Sequence, residues 1–204
     1  LQEIPLLGGE KAVYDVRRLV YAIERHLGRQ GSYFNAEERA LFDKMLPKST
    51  GSTSLGRLMD ATACALEVCQ HRSYDGEPAM KLERWLSEGR VDRSLVCQRK
   101  GDTLLDLDLF EVVLDARTGK KDVAASYIHS VLQGLMDMAM DRAEDNGQRS
   151  IGLTGGVSYN FMICHWAGRM AKARGMELVL PRELPNGDGC ISAGQCAIAA
   201  ASMR

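Results

Sequence analysis

The residues best suited to chemistry in this chain of 204 residues lie in two glycine turns near its C-terminal end. The first is Thr154-Gly155-Gly156, which follows the short apolar run Ser150 to Leu153 and leads into a helical run with Asn160 just inside it. Glycines between a strand and a helix let a backbone or a ligand approach without a Cβ in the way. The helix behind them offers free N–H groups and the positive end of its dipole, which suits a phosphate. The second turn, Leu184-Pro185-Asn186-Gly187-Asp188-Gly189, opens the last helix. A lone Gly-Gly is more often only a tight connection. Two such turns, each leading into a helix, predict two walls of one nucleotide cleft.

Other residue types exclude more than they offer. The histidines His26, His71, His129 and His165 are scattered, without an H-x-x-x-H pair. The cysteines Cys64, Cys69, Cys97, Cys164, Cys190 and Cys196 contain no C-x-x-C, so reduced, buried thiols are expected rather than zinc or disulfides. Lys and Arg number 26 against 27 Asp and Glu, for a net charge of −1. That balance argues against a nucleic-acid partner, and no polybasic block suits a membrane surface. No run approaches the ~18 apolar residues of a spanning helix, and no signal peptide precedes the first element. A cytoplasmic location is expected. Hydrophobic content of 45% and charged content of 26% suit one large or two small globular domains.

Periodicity supplies the elements that must position the turns. Val13, Val16, Leu19, Val20, Ile23 and Leu27 predict one helix over 11–27, stopped by Gly28 and Gly31. Asn35, with Glu38 three residues on, predicts a capping box for a helix over 36–45. Leu58, Ala61, Ala65, Leu66 and Cys69 mark the inner face of a helix over 55–70. Pro78 fits the first position of a helix reaching about Leu86. Residues 89–101 carry little signal, 103–107 alternate weakly as a strand, and 109–114 suit a strand or a short helix. Asp122 is expected to cap a long helix to about Glu144, with Ala125, Ile128, Leu132, Leu135, Met136 and Ala139 inward. An α/β alternation follows: strand 150–153, helix 159–173, strand 177–180, and an alanine-rich helix 189–201 built to pack closely. The expected organisation is a mainly helical segment 1–120 and an α/β nucleotide-binding segment 121–204.

Six motifs then fall in one order. They are Leu7-Gly8-Gly9-Glu10-Lys11-Ala12, the stretch Ser52 to Ala61, Tyr74-Asp75-Gly76-Glu77-Pro78-Ala79, and Ser126-Tyr127-Ile128-His129. Leu153 to Asn160 and Pro185 to Gln195 complete the set. In this order the chain resembles the HypF-type carbamoyltransferases of NiFe-hydrogenase maturation, over the second half of their TsaD-like domain. The resemblance implies an α/β fold, half of an actin-like ATPase (ASKHA, ribonuclease H-like) domain with a sheet flanked by helices.

It also implies a chemistry. In the family a separate YrdC-like domain makes carbamoyl-adenylate from ATP and carbamoyl phosphate. The TsaD-like domain passes the carbamoyl group to the C-terminal cysteine of a HypE-type acceptor. Carried over by motif, Asp60 and Gly76 match positions on the ribose side of the nucleotide, and Asn160 one near the base. Gly155 and Gly156 match the pair beside the phosphates, and Asp188 matches an aspartate that helps hold a divalent metal ion. The family's H-x-x-x-H metal ligands have no counterpart here, so the metal site is incomplete in this chain. Its N-D-G-G reads Gly187-Asp188-Gly189-Cys190, and its Phe-Gln before the asparagine reads Ser158-Tyr159. Transfer is therefore expected to need the remaining HypF domains. Two other readings stand beside it: a non-catalytic nucleotide-binding or interaction module of the same fold, and an O-carbamoyltransferase acting on a small-molecule hydroxyl.

Overall fold

The computed structural model describes residues 1–203. Its chain divides within its longest helix into a unit of Leu1–Gly134 and a second beginning at Leu135. In the first unit, β1 (Ile4–Pro5) pairs antiparallel with β2 (Gly51–Ser52), and the Leu6 N–H extends the pairing to the Thr50 carbonyl at 2.9 Å. Where one helix is expected, two form: α1 (Lys11–Tyr14) and α2 (Arg17–His26). Long-range pairing causes the break. Asp15 leaves helical geometry (φ −97°, ψ 87°) and bridges His71, while the Tyr14 carbonyl accepts from Arg72 N–H and Val16 N–H donates to the Gln70 carbonyl.

The capping box forms as its residues dictate. Asn35 Oδ1 accepts the Glu38 N–H at 2.9 Å, the Glu38 carboxylate accepts the Asn35 N–H at 3.0 Å, and α3 runs Ala36–Met45. Tyr21, Phe34 and Phe42 then meet edge to face, with centroids 4.8 to 5.8 Å apart. Helix α4 (Leu55–Ala65) ends well short of Gln70. It closes in a Schellman motif, with Val68 N–H on the Ala63 carbonyl and Glu67 N–H on the Cys64 carbonyl. Glu67 takes the left-handed position at φ +68°.

Helix α5 (Glu77–Glu88) carries Pro78 in its first turn. Residues of weak signal give a hairpin, β3 (Arg99–Lys100) with β4 (Thr103–Leu104). The expected strand stops there because Gln2 intervenes. Its side-chain oxygen accepts Leu107 N–H at 2.9 Å and its own N–H donates to the Asp106 carboxylate at 2.7 Å, which starts a helix instead. Short helices α6 (Asp106–Leu109) and α7 (Glu111–Leu114) follow. Helix α8 (Lys120–Asp145) begins before the expected cap, since the Asp122 carboxylate accepts from Arg90 N–H at 2.8 Å. Its Ala125, Ile128, Leu132 and Met136 are buried, but Ala139 is exposed rather than inward.

The second unit carries β5 (Ser150–Gly152), α9 (Phe161–Ala173) and β6 (Glu177–Val179). The strands run parallel, with Ile151 opposite Leu178, and the crossover helix buries Ile163, Trp166, Ala167, Met170 and Ala171. Gly175 (φ +70°) ends α9 in a second Schellman motif, as its position predicts. Helix α10 (Ile191–Ser202) has no buried residue, although its small residues are suited to close packing. Among the described residues no helix is long and apolar enough to cross a membrane.

Candidate nucleotide site

The two glycine turns, expected as walls of one cleft, meet directly within the second unit. Asn186 joins them. Its carbonyl accepts the Gly155 N–H at 2.6 Å and the Thr154 hydroxyl at 2.9 Å. Its side-chain amide donates to the Ser158 carbonyl at 3.4 Å, and the next residue, Gly187, donates its N–H to the Tyr159 hydroxyl at 3.0 Å. Gly155, Gly156, Asn160 and Asp188 thus belong to one local constellation. Gly155 sits at φ +94°, ψ 172°, a conformation essentially reserved for glycine. A Cβ on Gly155 or Gly156 would meet nothing within 4 Å, so the pair keeps one side open to a ligand.

Asn160 lies one step outside the position its sequence suggests. It is the N-cap of α9 (φ −74°, ψ 117°), and its Oδ1 accepts the Ile163 N–H at 3.1 Å. With the oxygen engaged, the amide –NH2 is what the side chain can offer a ligand. Asp188 is exposed at the start of a single 3-10 turn, Asp188–Cys190, that runs into α10. A hard divalent cation takes about six oxygen ligands. Among the described residues no three His, Cys, Asp or Glu side chains gather to hold a metal ion. Asp188 offers a single carboxylate, and these residues by themselves do not fit such a cation. Cys190 is a half-buried free thiol.

Asp60 and Gly76 belong to two helices that pack together in the first unit, Asp60 on α4 and Gly76 at the N-cap of α5. As a surface residue of a helix Asp60 would be solvated; here it is 1% exposed. The backbone N–H of Ala79, the third residue of α5, lies on the side of the Asp60 carboxylate and pulls its pKa down slightly. That donor normally belongs to an N-cap side chain, and the N-cap of α5 is Gly76, at φ +79°, which has none. Asp60 therefore sits beside the N-terminus of a helix whose own N-cap supplies no side chain. Arg57 Nη1 stands 2.9 Å from Asp60 Oδ2, but neither atom is aligned for a hydrogen bond. Burial pushes Asp60 up to about 6, against the opposing pull of Arg57 and Arg72. Glu77 closes the preceding turn through Ser73 N–H (2.6 Å) and the Ser73 hydroxyl (2.7 Å), and pairs with Lys81 at 2.6 Å. Lys81 first, then Ser73, hold its carboxyl down to about 2.

His129 is half-buried on α8, and burial, with Arg93 nearby, lowers its pKa, which favours the neutral ring. A cavity of about 430 Å³ in the first unit, lined by Gly8, Gly9, Lys44 and Lys48 among others, shares no residue with the candidate site. The residues that sequence reasoning missed are Asn186 and Tyr159, whose bonds hold the turns together. Tyr159 left a signal, because it and Gly187 both depart from the motif pattern.

Residues 1–195 match the family model described as carbamoyltransferase, Kae1-like domain, second subdomain. The "Probable carbamoyltransferase HypF" of Methanocaldococcus jannaschii is 30% identical over 96% of this chain, and the "Carbamoyltransferase HypF" of Rhizobium leguminosarum bv. viciae 30% over 98%. This chain spans 27% of the length of each. The crystal structure of T. kodakarensis HypF superposes with a TM-score of 0.80 at 27% identity, covering 98% of this chain and 29% of that one. A full-length HypF solved in the phosphate- and nucleotide-bound form has a TM-score of 0.77 at 22% identity, covering 98% and 28%. The fold is accordingly the second half of a Kae1-like, actin-like ATPase-type domain.

Proposed function

The chain belongs to the family of second subdomains of Kae1-like carbamoyltransferase domains, and from that membership we propose that it forms one side of a nucleotide site in a HypF-type carbamoyltransferase. The observation that carries this reading is the joined pair of glycine turns, whose Gly155-Gly156 face is open. That face suits the phosphates of ATP or carbamoyl-adenylate, and the Asn160 amide suits a base or ribose acceptor. A HypF of the same fold holds phosphate and nucleotide, which supports the assignment. Asp60 and Gly76, by the motif match, would act on the ribose side. Asp188 would supply one ligand to a divalent cation completed by residues outside this chain.

The reaction proposed is carbamoyl transfer in hydrogenase maturation. A thiolate at the C-terminus of a HypE-type acceptor attacks the carbamoyl carbon of carbamoyl-adenylate, the S–C bond forms, the C–O bond to the phosphate breaks, and AMP leaves. This chain's part is to hold the nucleotide; no residue in it is assigned the chemical step. The remaining HypF domains are the proposed partners of the exposed α10 and of the two-stranded β5–β6 sheet. The exposed Asp188, which joins no cluster of three metal-ligating side chains among the described residues, favours a second reading, a nucleotide-binding module without catalysis.

Mass spectrometry of the acceptor separates the two. The protein carrying this chain, given ATP, carbamoyl phosphate and a HypE-type protein, should carbamoylate the acceptor's C-terminal cysteine, and Gly156→Val should abolish that. Nucleotide binding without any carbamoylated acceptor would favour the module.

A further inference from the structure

Tyr159 and Gly187 lie 28 positions apart and interlock. The Gly187 N–H donates to the Tyr159 hydroxyl at 3.0 Å. A Cβ on Gly187 would stand 2.9 Å from Tyr159 Cε2 and 3.7 Å from Gly156 Cα, so the ring occupies the space a side chain at 187 would need. Gly187 is at φ −118°, which demands no glycine, so close approach to Tyr159 is what its missing side chain serves. Tyr159 is 60% exposed, so burying its ring in a core does not account for this placement. Its hydroxyl and one ring edge are engaged with the second turn, between the open glycine pair and Asp188. Both residues stand where the resembling motifs have other types, glutamine and asparagine. With the ring where it stands, a side chain at 187 would force the ring or the turn to shift.

We propose that Tyr159 and Gly187 are a matched pair, with Tyr159 the positioning residue that fixes the second turn against Gly155-Gly156 for a phosphate-bearing ligand. The ligand half of this inference rests on the nucleotide reading above; the pairing half does not. Tyr159→Phe removes the hydroxyl and keeps the ring. Gly187→Ala drives a methyl group into the ring. Tyr159→Gln with Gly187→Asn exchanges both partners together.

The test is calorimetric titration of the protein carrying this chain with ATP and with adenosine, beside thermal unfolding of each variant. Tyr159→Phe and Gly187→Ala should each weaken ATP about tenfold, the size of one lost hydrogen bond, while leaving adenosine unchanged. The double exchange should recover ATP to within about threefold and unfold at a higher temperature than Gly187→Asn alone, as coupled neighbours do. A merely structural staple would lower the unfolding temperature without changing the ATP-to-adenosine ratio, and that result overturns the positioning role. Wild-type protein that binds neither ligand overturns the ligand half of the proposal together with the nucleotide reading. The thermal cycle then decides the pairing half alone, and additive losses in it would overturn that too.

Discussion

Asn160 shows how one side chain can serve fold and ligand together. Its oxygen caps α9 while its –NH2 remains to be offered, so substitutions can divide the two roles. Asn160→Asp keeps the capping oxygen and loses the donor; thermal stability should hold while ATP affinity falls. Asn160→Ala loses both, and unfolding should reveal a cost of about 1 kcal/mol for the cap. Asp60 makes a prediction in pH. Folding raises its carboxyl from 3.8 to about 6, so the folded state holds that proton more tightly. The contribution is complete below the unfolded value and is lost as pH rises through about 6, at a cost of about 3 kcal/mol by neutrality. Urea unfolding at several pH values should show this slope in the wild type, and Asp60→Asn should flatten it. Residual slope belongs to Asp106, whose pKa burial also raises, and to His129, whose pKa burial lowers from 6.5. Glu77, held down to about 2, adds slope only below its ordinary 4.5. Burial of this kind is hard to see in sequence. Asp60 lies in an amphipathic helix without any mark that its carboxylate is buried against a different helix.

Helices announced by their own side chains were legible, and helices ended by distant partners were not. The capping box at Asn35 and the stop at Gly175 are local, so sequence and structure coincide at both. The break at Asp15 depends on residues 70–72, and the start of α6 depends on Gln2, over a hundred residues away. Periodicity carries no trace of either. The end of α4 is an instructive case, because its Schellman motif places Glu67 where glycine is the usual occupant. A left-handed conformation disfavours a residue with a Cβ, and the ion pair of Glu67 with Lys120 is exposed and adds little. Glu67→Gly is therefore expected to raise the midpoint of thermal unfolding by a few degrees, and calorimetry would read it. At the site, both glycine turns were legible from residue type. Their union through Asn186 was not, since a backbone carbonyl has no signature in sequence.

The whole chain spans 27% of the length of the Methanocaldococcus and Rhizobium relatives, and the structure reflects this. Strands β5 and β6 make a parallel sheet of two, and α10 exposes Ile191 and Ile198 at 55% and 70%. Parallel sheets are ordinarily covered on both faces. On the proposed function, the rest of the carbamoyltransferase covers these elements. Hydrogen exchange in the amides of β5, β6 and α10 should then slow markedly when this chain is joined to those domains; equal exchange in the isolated and joined chains would contradict that. The fold was legible at this scale through the order of six motifs. On the proposed function, the acceptor and the remaining metal ligands lie outside this chain, so no residue in it announces them.

The central claim is that the open side of Gly155-Gly156 receives the phosphates of a nucleotide, and Gly156→Val tests it most directly. A Cβ at 156 meets no atom within 4 Å, so the variant should unfold at the wild-type temperature. Its added methyl groups would nevertheless stand where a phosphate has to come. Titrating ATP into the wild-type protein and this variant should give saturable wild-type binding and at least about tenfold weaker variant binding, the loss of about one good hydrogen bond. Equal affinity in two equally stable proteins would place the phosphates elsewhere and contradict the account.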